Sequence, residues 1–145
     1  MAASKRFKPV LRVAESRERT AAHQLGDSQR NAQAQEAKLE ELRHYHQEYL
    51  DRFDKAARGG ISAAQLREYQ AFLAKLEMAI KEQESVVQSS LNVCTTHRDE
   101  WRQKYIRTQA LDKVVQRCET KERHARDRKE QKETDDRNNQ RVVKS

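Results

Sequence analysis

Two stripes of mostly apolar residues, spaced alternately three and four apart, run from Leu11 to Cys118, and the pair Gly59–Gly60 parts them. The first visits Leu11, Ala14, Glu18, Ala21, Leu25, Ser28, Ala32, Gln35, Leu39, Leu42, His46, Tyr49, Phe53 and Ala56. The second visits Leu66, Tyr69, Leu73, Leu76, Ile80, Gln83, Val87, Ser90, Cys94, His97, Trp101, Lys104, Thr108, Leu111, Val115 and Cys118. Such spacing keeps residues on one helical face, and over many heptads it marks the seam of a coiled coil. A helix that is apolar along a single stripe cannot stand alone in water. Each stripe needs a partner.

The break supplies one. Pro9 can open the first helix, because the first helical position needs no amide donor. Gly59 is expected to take the left-handed conformation that ends a helix, Gly60 to let the chain reverse, and Ser62 to cap the second helix. A loop of about four residues near 58–61 forces the helices antiparallel. The expected fold is therefore all-α, a two-helix antiparallel coiled-coil hairpin over residues 1–118. In the preferred register Phe53 meets Tyr69, Tyr49 meets Leu73, Leu42 meets Ile80, Trp101 meets Ala21, Lys104 meets Glu18 and Leu111 meets Leu11. A neighbouring register would set Trp101 against Glu18 instead. Apolar bulk is greatest near the loop, so stability is expected there and fraying at the open end. Beyond Cys118 no Leu, Ile, Phe, Tyr or Trp occurs, and residues 119–145 read as a charged helical extension or a disordered tail.

Composition agrees with long exposed helices. Charged residues make up 37% of the chain against 35% hydrophobic, with three Gly and one Pro, which is not the balance of a compact globule. The net charge of +7 suits an anionic partner, yet 30 basic and 23 acidic residues are interspersed, as on a solvated helix face.

Catalytic chemistry finds little footing. Three glycines cannot build a phosphate-cradling loop. His44 and His46 are two apart and so do not share a helix face, and no Cys or carboxylate pair completes a zinc pattern. Cys94 and Cys118 fall ~36 Å apart on one helix, too far to bridge, and read as reduced thiols of a cytosolic protein. Neither has a partner His in a site-forming context. No enzyme activity, cofactor or metal is expected. The N-terminus lacks the apolar stretch of a secretory signal. The longest run free of Asp, Glu, Lys and Arg, residues 85–97, is too short and polar to span a bilayer.

One binding reading comes from the segment "KRFKPVLRVAESRER" (5–19), with six basic residues and two acidic. A zipper-type DNA reader needs a continuous basic helix feeding a parallel seam. Here Pro9 interrupts the segment and the hairpin occupies the seam, so a basic coiled coil that binds nucleic acid is the rival reading. The other lies near the loop. Tyr45 flanks the first stripe, and Phe72, Ala79 and Val86 flank the second. With Leu42, Tyr49 and Leu76 they either broaden a two-helix core or form a docking patch, since clustered exposed aromatics are enriched in interface cores.

The stretches "LRHYHQEYLDRF", "GGIS" and "YQAFLAKLEMAI", densest over residues 42–82, resemble the flagellar export protein family FliJ, and the heptad layout agrees along most of the chain. The resemblance implies a stalk-like adaptor of the flagellar type III export apparatus. In that role it would join an export ATPase hexamer of the FliI type to an export-gate membrane protein of the FlhA type, and contact export chaperones. It implies a cytoplasmic protein, peripheral at the inner membrane through its partners, that does not bind nucleic acid. The family's gate-contact positions fall on Leu42, Tyr45, Tyr49, Phe72, Leu76 and Ala79, and Lys38 stands where the family usually has Gln. The termini-bearing tip would meet the ATPase through Arg12, Arg17, Arg19, Arg107, Lys113 and Arg117.

A first helix over 10–57 would be ~72 Å long, whereas a globule of this chain's 145 residues has a radius of gyration near ~15 Å. Small-angle X-ray scattering should give a radius well above that value, and a radius near it would contradict the hairpin.

Overall fold

The computed structural model describes residues 2–144, and their regular structure consists of two helices, α1 (Ala3–Gly59) and α2 (Ala63–Lys144), of 57 and 82 residues. The turn between them is built by residues with the right local chemistry. Gly60 has φ of 84°, the left-handed region that a side chain would strain, and its N–H donates to the Ala57 carbonyl at 3.3 Å. This corrects the expectation for Gly59, which is still helical: the left-handed residue is Gly60, where the chain was expected to reverse. Ser62 caps α2 as expected. Its hydroxyl accepts from the Gln65 N–H at 3.1 Å, and the Gln65 side-chain oxygen accepts from the Ser62 N–H at 3.1 Å. Two backbone donors that the helix itself cannot satisfy are thus paired reciprocally.

α1 starts six residues before Pro9 rather than at it. A proline inside a helix removes one backbone bond and costs about 3 kcal/mol, so something must hold the preceding turn. α2 does so. The Ser4 N–H and hydroxyl donate to the two carboxylate oxygens of Glu122 at 3.0 and 2.7 Å, and Lys8 bridges to Glu119 at 3.0 Å. Ser4 is buried. Glu122 therefore caps the first turn of a helix to which it does not belong. Apolar spacing gives no sign of such a clasp, which is why the sequence suggested a fraying end here.

Along the seam the stripes are legible almost residue by residue. Leu11, Ala14, Ala21, Ser28, Ala32, Leu39, Leu76, Ser90, Cys94, Thr108 and Val115 are all buried, and every other stripe residue is half-buried except Lys104. Lys104 is exposed and makes no ion pair with Glu18, a correction to the expected facing pair. Desolvating an ammonium costs more than one exposed-type pair returns. The buried hydroxyls of the seam satisfy themselves. Ser28, Ser90 and Thr108 each donate a hydroxyl back to the carbonyl of Leu25, Val86 and Lys104, at 2.8, 2.9 and 2.9 Å, so their burial leaves no donor stranded.

The chain divides into two compact units, Met1–Ala21 with Trp101–Ser145, and Ala22–Glu100. Within the first, small residues such as Ala14 and Ala21 dominate the α1 side, and Trp101 on α2 is half-buried. Within the second, Phe53 meets Tyr69 as the register requires, with ring centroids 5.5 Å apart. Further from the loop Gln83 donates to both the carbonyl and the side-chain oxygen of Gln35 at 2.9 Å, and His97 Nδ1 lies 3.1 Å from the Gln24 carbonyl. Polar layers of this kind fix register at some cost in stability.

The clasp has a pH signature. The hydroxyl and then the N–H of Ser4 hold the Glu122 carboxyl below its ordinary value of 4.5, with smaller contributions from Arg126 and Lys8. A carboxylate whose folded pKa is depressed contributes fully above its unfolded value and loses that contribution as pH falls through the folded one. The Ser4 amide NMR signal should therefore titrate with a midpoint below 4.5. Glu122→Gln should loosen the first turn of α1 at neutral pH as well. A midpoint at or above 4.5 would show that the clasp does not form.

Candidate functional site

The residues flanking the seam near the loop converge on one aromatic cluster inside the Ala22–Glu100 unit. Helical spacing puts Tyr45 and Tyr49 one turn apart on α1, and the antiparallel register brings Tyr69 and Phe72 of α2 alongside. Tyr49 is at the centre. Its ring lies 4.4 Å from Phe72, 5.4 Å from Tyr69 and 6.5 Å from Tyr45, all tilted. Tyr45 meets Phe72 edge-on at 6.0 Å. These are the favoured separations for aromatic pairs, each contributing about 0.5–1.5 kcal/mol beyond area burial.

The six positions Leu42, Tyr45, Tyr49, Phe72, Leu76 and Ala79 therefore differ in kind. Leu76 is 7% exposed and belongs to the core; Leu42, Tyr49, Phe72 and Ala79 are half-buried; Tyr45 is 44% exposed. Beside Tyr45 and Leu42 lies a depression of about 420 Å³ whose rim is Lys38, Glu41 and Gln83. An apolar floor with a polar rim is the usual build of a protein-docking surface. The cluster broadens the two-helix core, and Tyr45 keeps an open face to solvent.

The basic set lies in the other unit. Arg12, Arg17, Arg19, Arg107, Lys113 and Arg117 are all exposed. None makes an ion pair among the described residues, in contrast to Lys8, which is held by Glu119. Unneutralised cations on an open face are available to an acidic partner.

The histidines separate as their spacing requires. His44 pairs with Glu48 at 3.1 Å on the exposed face, whereas His46 sits in the seam with Nε2 buried, unbonded and 3.7 Å from Glu77. No three metal-ligating side chains converge among the described residues. Cys94 is buried and Cys118 half-buried, both as free thiols. No helix among those residues is long and apolar enough to cross a membrane.

A family model described as Flagellar FliJ protein matches residues 4–145. The chain belongs to the FliJ family. It is 29% identical over 124 residues to the Flagellar FliJ protein of Escherichia coli (strain K12), a stretch that covers 86% of this chain and 84% of that protein. No solved structure matches. Family membership agrees with the resemblance that the aromatic spacing and the glycine pair carried. Two features of this FliJ-family chain escaped the sequence reading: the Ser4–Glu122 clasp, and a Trp101–Tyr105 stack with ring centroids 5.3 Å apart. The second was discernible as two aromatics four residues apart.

The cluster's graded burial makes a prediction. Tyr49→Ala should lower unfolding stability by about 2–3 kcal/mol and Tyr45→Ala by less than about 1 kcal/mol, measured by urea denaturation followed by circular dichroism. Equal losses would make Tyr45 a core residue rather than part of an open face.

Proposed function

We propose that this chain, a flagellar export component by family membership, is a non-catalytic stalk and adaptor that couples the export ATPase ring to the export gate. The observation that carries the reading is the division of labour between the two units. One presents an aromatic face with a polar rim, and the other presents six exposed, unneutralised cations. Two faces of such different chemistry suit two different partners.

The aromatic face, Leu42, Tyr45, Tyr49, Phe72, Leu76 and Ala79, is assigned to the gate protein of the FlhA type. Leu76 and Tyr49 set its floor, while Tyr45 and Phe72 supply contact area at small entropic cost. The basic face, Arg12, Arg17, Arg19, Arg107, Lys113 and Arg117, is assigned to an acidic surface of the FliI-type ATPase. Exposed ion pairs are individually weak, about 0–1 kcal/mol, so several together hold a partner without locking its orientation. Export chaperones are further partners, with no surface assigned to them. The chain works in the cytoplasm and reaches the membrane only through the gate.

The rival reading, a basic coiled coil on nucleic acid, leaves the aromatic face without a role. It also predicts affinity that falls steeply with salt.

Triple charge reversal, Arg12→Glu with Arg17→Glu and Arg19→Glu, should abolish stimulation of the purified ATPase and leave binding to the gate's cytoplasmic domain unchanged. Phe72→Ala should weaken gate binding about tenfold or more with helicity and ATPase stimulation retained. If Phe72→Ala loses stimulation instead, the two faces have been assigned to the wrong partners.

A further inference from the structure

The unit formed by Met1–Ala21 and Trp101–Ser145 holds an aromatic feature that the charge-based reading of its face does not use. Trp101 and Tyr105 are one turn apart on α2 and stacked, with centroids 5.3 Å apart and planes inclined by 29°. Trp101 is a half-buried seam residue, but Tyr105 is exposed, and the next residue, Ile106, is 66% exposed. Tyr105 leaves apolar surface in water where the neighbouring positions are charged, and Ile106, about 100° further round the helix, opens an adjoining apolar face rather than extending the stack.

Those neighbours are mostly basic, although Asp99 and Glu100 just before Trp101 and the half-buried seam residue Glu18 are acidic. The Lys8–Glu119 bridge marks one edge of the helix pair. Helical steps of seven carry that edge along α2 from Glu119 through Asp112 to Tyr105, and steps of three and four carry it along α1 from Lys8 through Arg12 and Glu15 to Arg19. On these edges the carboxylates Glu15 and Asp112 lie toward the bridge, and Arg19 and Arg102 lie toward the stack; both arginines are exposed and make no ion pair among the described residues. Across residues 1–21 and 101–118 there are 11 Lys and Arg against three Asp and Glu.

We infer that Trp101, Tyr105 and Ile106, framed by Arg19 and Arg102, form the apolar anchor of the ATPase-docking face and receive an acidic protein segment carrying an apolar side chain. The inference rests on the ATPase reading above. Charge selects the partner and speeds its approach; the anchor lengthens its stay, because buried aromatic contact governs dissociation more than steering does. A nucleic acid fits this face less well. Base stacking needs free aromatic faces, and Trp101 and Tyr105 each give one face to the other, with Trp101 half-buried besides.

Stimulation of the purified export ATPase by the full chain is measured across a salt series for four proteins: wild type, Tyr105→Ala, Ile106→Asp, and the triple reversal at Arg12, Arg17 and Arg19. Tyr105→Ala should raise the concentration for half-maximal stimulation about tenfold and remove the part of the stimulation that survives high salt. Ile106→Asp, at a position too exposed to disturb folding, should do the same with unchanged helicity. If the triple reversal abolishes stimulation while both single variants match wild type, the anchor is refuted and the ATPase reading stands. If the triple reversal has no effect, the ATPase reading itself fails. If the single variants weaken binding of a fluorescent single-stranded oligonucleotide and leave ATPase stimulation intact, the face belongs to nucleic acid and the inference is overturned.

Discussion

Among the described residues each helix has only the other helix to pack against. That constraint governs everything else in the structure. Isolated helices are marginal in water, and most helical stability in proteins comes from burying an apolar face. Here that face is one residue wide per turn, so the seam between α1 and α2 must serve as the whole core. The Gly60 turn and the Ser62 capping box make the helices antiparallel, and the antiparallel register then decides which side chains meet. Tyr49 touches Phe72 and Tyr69 only because the chain reversed at Gly60. A narrow core also leaves flanking residues half exposed by necessity. Surfaces for partners are thus a by-product of the architecture, and sequence decides what chemistry they show.

Much of this was legible from residue spacing. Period identified the seam, with Lys104 the one stripe position that stayed in water. Position 104 lies on the stripe by counting, but an ammonium there gains nothing from burial. The helix start was misplaced because Pro9 is a local signal, whereas the clasp that overrides it depends on Ser4 and Glu122, which are far apart in sequence. Hydrogen bonds between distant polar residues leave no periodic trace. The left-handed residue was placed one position early for a different reason: two adjacent glycines are equally able to adopt positive φ, and only the closing bond from Gly60 to Ala57 distinguishes them.

The aromatic positions were legible as a cluster and in part as a gradient. Spacing set Leu76 and Tyr49 on the seam and Tyr45 and Phe72 beside it, and Leu76 is indeed core while Tyr45 stands open. It could not say that Tyr49, on the stripe, is no more than half-buried, like the flanking Phe72, since that depends on how closely the two backbones approach. The cations show the converse. Their exposure follows from helix position alone, yet the absence of ion pairs around Arg12, Arg17 and Arg19 among the described residues requires the positions of every carboxylate nearby. A FliJ-family chain with two chemically distinct faces is a candidate to hold two partners at once, and that is the core of the proposed adaptor role.

Simultaneous occupancy tests this most directly. The chain, saturated with the export ATPase, would be titrated with the gate's cytoplasmic domain by isothermal calorimetry, and the mixture sized by light scattering. An adaptor with independent faces predicts a ternary complex and a gate affinity equal to that of the free chain. Displacement of the ATPase by the gate domain, with no ternary species, would mean that the two partners share one face and would contradict the account.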